Sequence, residues 1–186
     1  AQGNFDVRTE DALEIAYLSA RSAIVTSGGT TRLSGNLADL TLISEKSTEV
    51  IESDNLLVKS VEVSEGSLDM IIGGNLSVDS ARIAKDATFR VTDSANIMEL
   101  EVTEGSLSLT VGGNLTATLA KTSADATLNV SGFGVLDELS SGGDLIIDTG
   151  GLLEVSDLSG QSGRNAGKGL LLSHHRNRRH SLRRIR

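Results

Sequence analysis

The stretch VGGNL, residues 111–115, decides the reading of this chain because it recurs at a fixed distance. IIGGNL ends at Leu76 and LSGNL ends at Leu37, so the steps from Leu37 to Leu76 and from Leu76 to Leu115 are both 39 residues. Self-similarity at a constant period marks a repeat architecture. A shorter step divides the 39. Asn followed by an aliphatic residue falls at Asn36, Asn55, Asn75, Asn96 and Asn114, at spacings of 19, 20, 21 and 18. Tyr17-Leu18 precedes the series and Val135-Leu136 continues it without the Asn.

Other columns keep the same step. Met70, Phe89, Leu109 and Leu128 form one, and Ile72, Val91, Val111 and Val130 another. Leu42, Val61, Ala81, Leu100, Ala120 and Leu139 form a third, and Ile24, Ile43, Val63, Ile83 and Val102 a fourth. Leu68, Ala87, Leu107 and Ala126 alternate large and small, which lets stacked layers interdigitate.

Within each step the apolar period is two, as in a half-buried strand. LDMII (68–72), ATFRV (87–91), LSLTV (107–111) and ATLNV (126–130) put apolar residues at positions one, three and five. VEV (61–63), ARI (81–83) and LEV (100–102) form a second strand per repeat, and NLSV and NLTA begin a third. Gly-Gly, Ser-Gly and Asp-Ser-Ala separate them, as turns require. Three short strands in about 19.5 residues make one coil of a parallel β-helix, stacked at about 4.8 Å on the next. The sequence therefore predicts an all-β fold, a parallel β-helix of about seven coils of 19–20 residues over 17–160 and about 35 Å long. Residues 1–16 form a lead-in or cap, and 161–186 a basic tail. A leucine-rich repeat fits less well, because Leu follows Asn directly and no helical half-repeat is visible. Residues 9–23 could instead form a capping helix with Thr9 at its N-cap, but the Tyr17-Leu18 match favours a coil. Asn suits such turns because it tolerates the left-handed conformation and can bond along a ladder.

Composition agrees. Of 186 residues, 20 are Gly and none is Pro or Cys, so glycine must do the turning and disulfides and thiolate metal sites are excluded. With one Tyr, three Phe and no Trp, the core must be aliphatic, and no aromatic platform for stacking sugars is expected. No apolar run is long enough to span a membrane. The chain starts at AQGNF without Met and carries no signal-peptide pattern, which reads as a mature end or a cut piece. The formal charge of −8 is uneven. Residues 163–186 hold eight of the 17 cations and no acid, leaving nine cations against all 25 acids before them, a body of −16.

GGNLSV (73–78), GGNLTA (112–117) and GGDLII (142–147) resemble the repeats of filamentous-haemagglutinin-type adhesins, bacterial surface proteins exported by two-partner secretion or autotransport. The resemblance covers about 17–158. It implies a right-handed coil, a non-enzymatic shaft, a secreted or cell-surface location, no cofactor, and host-cell or matrix glycans or proteins bound through regions outside this stretch. Further repeats could stack on the coil ends. A secretion domain of that family is not recognisable here.

Candidate sites are few. Glu65, Lys85 and Glu104 share a column and would form an alternating ladder on the surface. Carbohydrate-active β-helix proteins use acidic clusters, and Asp144, Asp148, Glu154 and Asp157 are the nearest equivalent. A hard cation needs several oxygens at one point, which alternating strand positions do not guarantee. No catalytic, cofactor or metal residue is assigned. All three His (His174, His175, His180) lie in the tail, away from the serines of the coils, so no triad is expected. The tail's Arg176, Arg178, Arg179, Arg183, Arg184 and Arg186 could neutralise phosphates, but no aromatic interleaves them for base stacking. A disordered or foreign end fits the abrupt shift of composition better.

Overall fold

A computed structural model describes residues 3–165, 169–172 and 183–184, with side chains to residue 161. Every regular element among them is a strand, and every strand pairing is parallel. The chain winds as a β-solenoid of about eight turns. The alternation of apolar and polar residues builds each turn. In the fourth, Leu68–Ile72, Leu76–Val78 and Ala81–Ile83 form three faces, and their burial alternates strictly. Seven side chains point inward: Leu68, Met70, Ile72, Leu76, Val78, Ala81 and Ile83, each at most 2% exposed. Stacking such layers gives one continuous core, mostly aliphatic, with polar residues such as Ser44, Thr48, Glu52, Thr122 and Thr149 at some inward positions. Phe89 is its one fully buried aromatic, in a turn that carries Ala87 and Ala95 at other inward positions.

The columns of Met70, Ile72, Leu68 and Leu42 pair as the sequence predicts. The column of Ile24 and Ile43 does not. Ile43 pairs with Glu62 and is 46% exposed, while Ser44 pairs with Val63 inside. A slip of one residue moves a side chain to the opposite face. No helix forms at 9–23: Asn4–Thr9 already pairs with the turn above, and Leu13–Ser27 is strand throughout.

The 39-residue spacing is a two-turn unit. Four residues (64–67) link Val63 to Leu68, three (84–86) link Ile83 to Ala87, four (103–106) link Val102 to Leu107, and three (123–125) link Thr122 to Ala126. At the next corner Gly73-Gly74 and Gly112-Gly113 alternate with Ser53-Asp54 and Thr92-Asp93. A Cβ on Gly73 would overlap the Ser53 carbonyl oxygen, and one on Gly74 would lie 2.5 Å from Asn55 Oδ1. The two glycines are therefore required by close approach to the turn below, and they separate the corners that carry side chains.

The first turns are tighter. Leu13 to its partner Thr31 is 18 residues, Thr31 to Thr48 is 17, and Thr48 to Leu68 is 20. Turning the short corner puts Tyr17 in the left-handed region (φ 61°), a conformation that costs energy for any residue with a Cβ. At the other end the ladder continues into the basic segment. Ser162–Asn165 pairs with Asp144–Ile147, and Gly169–Leu172 with Leu152–Val155. The tail, read from the sequence as a disordered or foreign end, instead extends the stack over 162–165 and 169–172. Arg183–Arg184 pairs with Arg164 and Asn165, whereas Arg176, Arg178, Arg179, Arg186 and all three His lie outside the described residues.

Candidate functional surfaces

The corner preceding the second face carries a ladder that the Asn series only partly anticipates. Asn75 N–H donates to Asn55 Oδ1 (2.7 Å), Ser94 N–H to Asn75 Oδ1 (3.1 Å), Asn114 N–H to Ser94 Oγ (3.1 Å) and Phe133 N–H to Asn114 Oδ1 (3.1 Å). Each side-chain oxygen thus satisfies the backbone N–H stacked on it, at a bend where no carbonyl of the turn below serves it. Asn96 is not in this ladder. It lies two residues further on, outward in mid-strand, and Ser94 holds the corner. Asn36 is also outside it, paired instead with Asp54. The general rule is a small oxygen-bearing residue just before the first inward residue. The corner before the first face obeys it too: Ser67 N–H donates to Ser47 Oγ, Ser106 N–H to Asp86 Oδ1 and Asp144 N–H to Asp125 Oδ1.

Charges alternate in sign along the rod. Glu65, Lys85 and Glu104 line one depression, joined by Lys46, whose ammonium pairs with Glu65. The Lys46 bond and charge hold the Glu65 carboxyl below its ordinary value and raise Lys46. On the third face Glu62, Arg82, Glu101 and Lys121 stack in register, with Arg82 and Glu101 3.2 Å apart. On the first, Arg32 pairs with Glu49, and Arg90 with Asp69 at 2.8 Å. All lie at the surface, with side chains open to solvent to differing degrees, so screening by water leaves little net stabilisation from any one pair. Their alternation puts like charges opposite each other if the stack slips by one turn.

The acids weighed as a cation site do not converge. Asp144 lies at a corner, Asp148 faces out from the first face and Glu154 from the second, and Asp157 pairs with Glu138 beyond that. No cluster of three metal-ligating side chains occurs among the described residues. No described helix is long and apolar enough to cross a membrane.

Two features escaped the sequence reading. The first is Glu52, which is 2% exposed at an inward position otherwise held by Ile72, Val91, Val111 and Val130. In later turns the corresponding N–H groups of Leu56, Leu76, Ala95 and Leu115 donate to the carbonyl of the turn above. At Leu37 the corner above is two residues longer. Glu52 Oε2 accepts the Leu37 N–H instead, at 2.7 Å. Oε1 has no partner. Burial pushes the Glu52 carboxyl up to about 7, against the Leu37 bond, with Asp54 adding to the rise.

The second is a groove of about 620 Å³ along the second face. Its floor is the column Ser77, Asn96 and Thr116, in register on three successive turns. The Asn ladder forms one wall, and Phe133, 52% exposed, stands at one end. Phe133 also lines the adjoining depression with Leu152, 54% exposed. The sequence reading expects no aromatic platform, but Phe133 takes the corner position just before the inward Gly134, which leaves its ring outside the core. None of the residues lining the groove is charged.

No family model, curated protein or solved structure matches the chain.

Proposed function

We propose that this chain is a structural shaft segment of an exported bacterial surface adhesin, holding binding regions away from the cell. The observation that carries the reading is the single hydrophobic core shared by the stacked turns, closed laterally by polar ladders at the corners. Such a stack is stiff, because each turn contacts its neighbours over their full length. The resemblance of the GGNL repeats to filamentous-haemagglutinin-type shafts supplies the biological setting.

Antibodies raised against the chain test the proposal on intact, non-permeabilised cells of its source. Surface labelling that protease shaving removes is the expected result. Labelling only after permeabilisation would exclude an exported shaft.

A further inference from the structure

We propose that the second-face groove binds an uncharged oligosaccharide chain, lying along the rod with one ring packed on Phe133. The inference does not depend on the shaft reading, because it concerns only the lateral surface of this segment.

Three observations carry it. First, the side chains of Ser77, Asn96 and Thr116 form a row of hydrogen-bonding groups, one per turn and so about 4.8 Å apart. None of the three bonds to any other described residue, so their donors and acceptors are open to a ligand. Second, the lining is free of charge in a body that carries −16 overall. A polyanion would meet net repulsion with no local cation to offset it, whereas a neutral hydroxyl-rich chain would not. Third, Phe133 presents half its surface at the groove end, flanked by Gly132 and Gly134, so an apolar side chain is open to contact with a ligand there. Concave sites that combine an aromatic face with a few placed polar groups are the usual form of small-molecule sites.

A peptide fits less well. Extended peptides gain affinity by pairing with a free strand edge. Here the strands lining the groove are paired on both sides by neighbouring turns, so no backbone edge is offered. What remains is a ladder of side-chain amides and hydroxyls, which matches a polymer bearing hydroxyls on every unit.

The test uses the whole chain, titrated with cellohexaose and chitohexaose as neutral probes and a galacturonic acid hexamer as the anionic control. Backbone amide shifts are followed by NMR. At least one neutral hexamer should bind with Kd at or below about 1 mM, moving the amides of Asn96, Thr116 and Phe133. Phe133→Ala and Asn96→Ala should each weaken it about tenfold. Thr110→Ala, outward on the first face, should leave it unchanged. All three positions are exposed, and circular dichroism is the check that each variant folds. The proposal is overturned if neither neutral hexamer binds, if the anionic hexamer binds as tightly, or if binding persists unchanged in the groove variants.

Discussion

Replacing Glu52 with Gln should remove a pH dependence of stability that the wild-type chain carries. The unfolded carboxyl titrates near 4.5 and the folded one near 7. Below pH 4.5 both states hold the proton and the fold keeps its full stability. As pH rises from there, the unfolded chain releases the proton first, so stability falls until the folded carboxyl also ionises near pH 7. The difference between the two states corresponds to about 3 kcal/mol at most. The corner beside Asp54 is close to solvent, which screens the ionised form, so about 2–3 kcal/mol is the expected loss. Gln keeps an oxygen for the Leu37 N–H but has no proton to lose. Urea unfolding at pH 5 and pH 8.5 reads the difference. The wild type should lose about 2–3 kcal/mol more than Glu52→Gln across that interval, and the variant should be the more stable protein at pH 8.5. Parallel losses in both proteins would refute the assignment of Glu52 as a buried, raised carboxyl.

Three further outcomes follow from the same geometry. Gly74→Ala places a methyl 2.5 Å from Asn55 Oδ1, so it should cost about 1–3 kcal/mol by overpacking in thermal unfolding, whereas Ala at the exposed Thr110 should change little. Asn75→Ala strands the Ser94 N–H at a partly exposed corner and should cost about 1 kcal/mol, with Ser94 amide exchange quickening more than that of its neighbours. Leu109→Ala opens a cavity in a layer that is 1% exposed and should cost about 2–5 kcal/mol by urea unfolding.

The sequence exposed the parts of this fold that depend on local alternation. LDMII and its counterparts read directly as strands because three aliphatic residues must all find one interior. Parallel stacking then followed from columns of like residues. Long-range register was less visible. Turn lengths of 17, 18, 19 and 20 residues average to a smooth period that placed Asn96 and Ile43 in the wrong columns. The corner ladder was half hidden because Asn, Ser and Asp can all supply its oxygen, so Ser94 and Asp86 look unrelated to Asn75. Glu52 carried no signal at all, since its role exists only where a short corner meets a longer one. The alternating Glu65–Lys85–Glu104 column was legible because charge sign survives small errors of register. The groove was not, because its floor and wall come from residues 20 apart and its significance lies in which polar groups remain unbonded.

The claim that the repeating unit is two turns, not one, is tested most directly by deletion. Removing residues 68–106 joins Ser67 to Leu107. This places Gly112-Gly113-Asn114 on Ser53-Asp54-Asn55, as Gly73-Gly74-Asn75 is placed now. Removing only 68–86 joins Ser67 to Ala87 and sets Thr92-Asp93 directly on Ser53-Asp54, with no glycine turn between them. Thermal unfolding together with small-angle scattering reads both. The account predicts that the 39-residue deletion folds to a rod about 10 Å shorter with nearly unchanged stability, while the 19-residue deletion is clearly destabilised. An unfolded 39-residue deletion, or a 19-residue deletion as stable as the parent, would contradict it.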